Sequence, residues 1–269
     1  MPAHTRTLLS LATVAVSAVF LAGCQQPDVP CTSAHGTFAA RFDLKSGDKN
    51  QPCGQLTGDI LGMATYFAPG GVNDTPKFYE PSLALRAQYL YAYVYDNVYG
   101  PSSVFDTRLI DKEVGDPDSL GDFADGLPDA DGFCSVPKMT KVELNLPEVV
   151  EIPPTEDDPA TPDVDESDPG LAGQAAARLT YEWDNVKFLV TADAQGTQFS
   201  ADLKFTQDSC TANYHVVGVY PAVFCLDEEG KPDDEVCKSD VNGINPDFPT
   251  TCSKTFGFCV LKGELPAYD

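Results

Sequence analysis

The chain has 269 residues and carries 41 acidic against 17 basic side chains, for a net charge of −24 at pH 7. That balance argues against nucleic acid, which needs clustered Lys and Arg to displace counterions, and against lying flat on an anionic lipid surface. Nine cysteines, with 22 Pro and 21 Gly spread along the chain, point to an exported, turn-rich protein in an oxidising compartment.

Residues 1–23 read as a leader rather than as part of the fold. Arg6 precedes an uncharged apolar run from Leu8 to Phe20, long enough for a signal-peptide core and too short for a comfortable membrane span. The run ends in Leu21-Ala22-Gly23-Cys24. This leader resembles those of bacterial lipoprotein precursors, and its last four residues resemble their lipobox. The resemblance implies cleavage before Cys24, a diacylglycerol on the Cys24 thiol, and a mature N-terminus with three acyl chains, palmitate among them. It also implies an outer-membrane address, because Gln25 stands where Asp commonly signals retention in the inner membrane; the leaflet stays open. One acyl chain binds a membrane marginally and several bind it durably. The lipid bilayer, reached through Cys24, is therefore the first expected partner.

With Cys24 set aside, Cys31, Cys53, Cys134, Cys210, Cys225, Cys237, Cys252 and Cys259 form an even set of disulfide candidates. No two of them have C-x-x-C spacing and the mature chain has only His35 and His215, which disfavours structural zinc. The local pairs expected are Cys31–Cys53, Cys225–Cys237 and Cys252–Cys259. The seven steps from Cys24 to Cys31 span at most roughly 25 Å. Residues 24–36 accordingly read as a short tether, and 37–269 as one disulfide-bearing β domain close to the membrane.

Within that domain the period-two pattern dominates. Phe38, Ala40, Phe42 and Leu44 alternate with Thr37, Ala39, Arg41 and Asp43, which predicts a strand with one buried face. Further strands are expected at 61–67 and 83–95. In the second of these Tyr89, Tyr91, Tyr93 and Tyr95 share one parity, so on a strand they share one face. Such a row is a candidate ligand platform for a sugar or a partner protein; a covered aromatic core is the competing reading.

Residues 116–132 interrupt the pattern with Asp and Gly. Ca²⁺ takes six to eight hard oxygens, which flexible Asp/Gly loops can supply. Asp129-Ala130-Asp131-Gly132 resembles part of the aspartate-rich loops of thrombospondin type 3 repeats, making Asp125, Asp129 and Asp131 candidate calcium ligands. A solvated acidic loop whose Asp and Gly serve turns competes with this reading. Val142, Leu144 and Leu146 restore the alternation. Residues 148–173 hold nine carboxylates and no basic side chain, a composition that predicts a disordered acidic loop within one domain. The stretch 179–206 reads as a hairpin, with Gly196 suited to the positive φ of a tight turn. Strands are expected again at 214–225 and 256–261.

The expected class is therefore all-β, an antiparallel sandwich or barrel with long acidic loops and disulfides. No nucleophile elbow, zincin motif or phosphate loop is present. His35 is expected at a strand end or in solvent, and His215 in a structural role. The leading functional reading is an outer-membrane-anchored, non-enzymatic module that binds an envelope or surface protein or glycan. A structural envelope lipoprotein and a hydrolase using paired carboxylates are the alternatives.

Overall fold

A computed structural model describes residues 29–68, 77–88, 115–148, 150, 151, 153, 173 and 175–268. It is antiparallel β throughout the main body. Nine strands form one sheet: β1 Gly36–Ser46, β2 Gly58–Ala68, β3 Lys77–Ala87, β4 Asp118–Asp122, β5 Phe133–Lys138, β6 Val142–Leu146, β7 Ala177–Val190, β8 Gln195–Gln207 and β9 Cys210–Val219. Their order is β4-β3-β2-β1-β9-β8-β7-β5, with β6 also paired to β7. A short helix α1 (Asp234–Cys237) and a two-stranded hairpin, β10 Thr250–Cys252 with β11 Cys259–Leu261, follow the sheet.

The sheet curls so that its end strands approach each other. Ala124 N–H donates to Ser135 O at 2.8 Å and Thr140 N–H to Leu120 O at 2.7 Å, yet no continuous ladder joins β4 to β5. Curling turns one face inward, and alternation fills it. Phe38, Ala40 and Phe42 of β1 lie there with Leu61 and Met63 of β2, Leu83 and Leu85 of β3, and Phe199, Ala201, Leu203 and Phe205 of β8. The inward residues of β7 change parity, from Leu179, Tyr181 and Trp183 to Val186, Phe188 and Val190. A bulge explains the change. Asn185 has φ +53° and the pairing with β8 shifts between Asp184 and Lys187, so both halves of a 14-residue strand face the same core. Gly218 of β9 points inward beneath the Phe199 ring, which occupies the place a Cβ would need.

The outer face of the sheet divides in two. Leu189, Val217 and Val219 form a second apolar cluster with Ile244, Phe248, Leu261, Ala267 and four cysteines of the C-terminal segment. Residues 220–268 thus cover part of the outer face, over strands β7, β8 and β9. Gln198 fixes the last turn there: its side chain is fully buried, donating to Ala267 O at 2.8 Å and accepting from Ala267 N–H at 3.0 Å.

All eight remaining cysteines are bridged, but not locally. The pairs are Cys31–Cys134, Cys53–Cys210, Cys225–Cys252 and Cys237–Cys259, which corrects the expected Cys31–Cys53, Cys225–Cys237 and Cys252–Cys259. The cause is topology. Strand order places β9 between β1 and β8, so the β1–β2 connection meets Cys210 across 157 residues of chain. The folded part also starts earlier than residue 37. Cys31 and Ser33 are buried, and Ser33 N–H donates to Thr65 Oγ1 at 2.8 Å, which shortens the tether expected over 24–36. The acidic stretch 148–173 leaves from β6 and returns to β7, its direct antiparallel neighbour. It is therefore a connection within one sheet.

Candidate functional site

Three surfaces gather the chemistry-bearing residues. The first surrounds the point where the chain enters the fold. Cys31 N–H donates to Gly126 O at 2.9 Å, Ala34 N–H to Gly196 O at 2.9 Å, and Val190 N–H to Gly132 O at 2.8 Å. The Asp/Gly loop, the β7–β8 turn and the N-terminal segment therefore form one pole of the sheet. Gly196 has φ +68° and sits against the Thr32 carbonyl with no space for a Cβ. A cavity of about 520 Å³ opens at this pole, lined in part by Cys31, Asp125, Leu127, Asp129 and Phe133.

Asp129 serves the loop itself. One of its carboxylate oxygens accepts from Asp131 N–H at 3.0 Å and from Phe133 N–H at 2.8 Å. Asp125, Asp129 and Asp131 are all exposed. Among the described residues, the group of metal-capable side chains whose ligand atoms lie within 4.8 Å of one another is Cys225, Cys237 and Cys259, and their sulfurs belong to two disulfides. The structure therefore brings Asp125 and Asp129 to one cavity wall but does not converge the three aspartates. Neither wall carboxylate is buried, the condition that separates the acid from its partner in paired-carboxylate hydrolysis.

The second surface lies on the outer face at the rim of the C-terminal segment. Register aligns Asp43, His215, Asp202 and Asp184 in one row across β1, β9, β8 and β7. Like charges directly opposite one another are destabilising in a sheet; Asp184 and Asp202 form such a pair, and Asn185 Nδ2 donates to Asp202 at 2.8 Å beside it. His215 Nε2 lies 2.7 Å from Glu264 Oε2, and its Nδ1 lies 3.6 Å from Asp202. Arg41 donates to Asp43 at 3.1 Å, Glu264 at 3.3 Å, Gly263 O at 3.1 Å and Leu261 O. His215 is thus a structural contact between sheet and C-terminal segment, as its sequence context predicts, although it sits at a half-exposed rim and not in the core. His35 is exposed just before β1.

The third surface is the outer face of β1 to β4, past the edge of the C-terminal segment. Register sets Thr37, Gly62, Arg86 and Asp118 in one row and Ala64, Ala84 and Leu120 in the next. Small side chains give a shallow groove of about 360 Å³ along these rows. Tyr66 and Leu120 flank it, 58% and 53% exposed. Arg86 and Asp118 close one end through a paired contact, both distances 2.6 Å. Sequence reading missed this groove, because β4 is hidden in an Asp/Gly stretch with no apolar alternation. Cys24 and the tyrosines at 89, 91, 93 and 95 lie outside the described residues.

The family model of MlpA matches residues 36–221, which spans the whole nine-stranded sheet. The chain belongs to the MlpA family. A Myxococcus xanthus relative named "Putative lipoprotein MlpA" is 28% identical over 280 aligned residues, 98% of this chain and 99% of that protein. Both findings agree with the lipoprotein resemblance of the leader, and the chain is a bacterial lipoprotein of all-β class. No solved structure matches it. Among the described residues of this MlpA-family chain, no helix is long and apolar enough to cross a membrane. The family match ends at Pro221, where the disulfide-bridged C-terminal segment begins.

Proposed function

We propose that this MlpA-family chain is lipidated on Cys24, held at the outer membrane, and serves as a non-enzymatic binding module for an envelope or surface protein or glycan. One observation carries the reading. The C-terminal segment covers the apolar outer face over β7 to β9, whereas the neighbouring groove on β1 to β4 presents Tyr66 and Leu120 to solvent. An exposed aromatic beside small residues and a charged pair offers flat stacking area plus polar anchoring, the mixture that recognition surfaces use.

The test is photo-crosslinking in cells, with a photoreactive amino acid at Tyr66 or at Leu120 and a control at Ser209 on the β8–β9 turn. A discrete covalent adduct at the two groove positions, absent at Ser209, is the expected result. Correctly localised protein giving no adduct at either groove position contradicts the binding reading and favours a purely structural envelope role.

A further inference from the structure

We infer that the pole formed by residues 124–132, the β7–β8 turn and the N-terminal segment is the surface that faces the bilayer, with the sheet standing away from the membrane. The inference rests on lipidation at Cys24 and deepens that reading.

Chain length and covalent geometry set the orientation. Cys31 is buried, bridged to Cys134 of β5 and hydrogen-bonded to Gly126, so the anchored chain cannot peel away beyond that point. The seven steps between Cys24 and Cys31 hold this pole within roughly 25 Å of the lipidated thiol. The sheet is longer than the tether. β7 has 14 residues, about 45 Å at the usual rise of a strand. Val190 at one end bonds Gly132 on the anchored pole. Ala177 at the other end pairs with Leu146, close to where Asp208 N–H donates to Arg178 O. The opposite pole, with the β8–β9 turn and the roots of the acidic connection 148–173, therefore lies nearly two tether lengths from the anchored pole.

Charge opposes the sheet lying on its side against the bilayer. The outer face carries the row Asp43, Asp202 and Asp184 beside Glu264, and the chain as a whole is strongly acidic. An anionic surface repels such a face, and a neutral one offers it no counter-charge. The anchored pole is acidic as well, with Asp125, Asp129 and Asp131 exposed, but there Leu127, Pro128 and Phe133 also lie half-buried around the cavity mouth. The lipid surface that suits this pole is a neutral one.

The experiment uses the full lipidated chain in phosphatidylcholine vesicles. A fluorescent amino acid is placed at Ala130 on the anchored pole or at Ser209 on the opposite pole, both exposed positions, and energy transfer to a headgroup acceptor is measured. Transfer from Ala130 is expected to exceed that from Ser209 at least about twofold, given a strand length of about 45 Å. Inserting about 20 Gly/Ser residues between Gln26 and Val29, which adds roughly 25 Å of mean reach, is expected to abolish the difference. Equal or reversed transfer, or a difference unchanged by the insertion, overturns the orientation. Flotation with the vesicles is read first: a parent chain that does not float overturns the lipid anchor and the orientation with it, whereas flotation with equal transfer overturns the orientation alone.

Discussion

The sheet and the C-terminal segment are held together by different means. The sheet encloses a core of large side chains, including Trp183, Tyr181, Tyr214, Phe38, Phe188, Phe199 and Phe205, each below 2% exposed. Residues 220–268 have one four-residue helix and one hairpin of three-residue strands, too little structure to bury a core of their own. Two disulfides and the apolar patch of β7 to β9 supply what is missing. The sheet is thus stabilised by burial, and the segment by covalent staples and by the surface it borrows.

Substitutions in each region should separate these two modes. The largest effect is expected in the sheet. Trp183→Ala removes a side chain packed against Phe42 and Tyr181, and a loss of about 3–5 kcal/mol in global stability is expected by chemical denaturation. In the C-terminal segment, Cys225→Ser with Cys252→Ser opens a loop of 27 residues, worth about 3.5 kcal/mol on chain-entropy grounds. The signature there is local: proteolysis between residues 225 and 259 rises while the near-ultraviolet signal of the sheet aromatics persists. A single sigmoidal loss of both signals would instead make the two regions one cooperative unit.

A smaller effect is expected at their junction. Gln198→Ala leaves buried backbone groups of Ala267 without partners, at a cost of about 1–3 kcal/mol, and hydrogen exchange at Ala267 should rise ahead of exchange in β8. The smallest effect belongs to Asp234. Hydrogen bonds from the Cys252 amide and then the Thr251 hydroxyl hold its carboxyl below the usual carboxylate range. A group whose pKa falls on folding stabilises above its unfolded value and loses that contribution as pH drops through the folded one. Asp234→Asn should therefore be less stable than the parent near neutral pH. The gap should close on acidification below the ordinary Asp range, as read from denaturation midpoints at a series of pH values.

The same contrast governs what could be read from sequence. Strands with one buried face were legible, because a strict period-two pattern suffices: Phe38, Ala40 and Phe42 are buried as expected. Leu44 shares their parity yet is 36% exposed, since it lies near the end of β1. The β7–β8 hairpin and its Gly196 turn were also legible, whereas the bulge at Asn185 went unread, its trace being two consecutive polar residues, Asp184 and Asn185, between alternating runs of opposite parity. β4 went unread. Its inward Ser119 is fully buried, with a hydroxyl donating to Thr140 O at 3.0 Å, so its pattern is carried by a hydrogen bond and not by hydrophobicity. Val217 and Val219 make the 214–225 run apolar on both faces because another segment covers them, and that partner is set by tertiary structure. Disulfide pairing was opaque for the same reason.

The candidate surfaces follow this division. The proposed lipidation of Cys24 rests on a local motif, Leu21-Ala22-Gly23-Cys24, which sequence alone carries. The groove beside Tyr66 and Leu120 exists only once β2, β3 and β4 are in register, so no local signal marks it. For the Asp loop, Asp129→Ala is expected to loosen the turn through loss of the Asp131 and Phe133 amide contacts, visible as faster exchange at those two amides.

A disulfide map of the unreduced protein tests the account most directly, because the pole at Cys31 and the stapled segment both depend on it. Proteolysis and mass spectrometry without reduction should yield the linked peptides Cys31–Cys134, Cys53–Cys210, Cys225–Cys252 and Cys237–Cys259. Recovery of Cys31–Cys53 in place of Cys31–Cys134, or of Cys225–Cys237 with Cys252–Cys259, would contradict it.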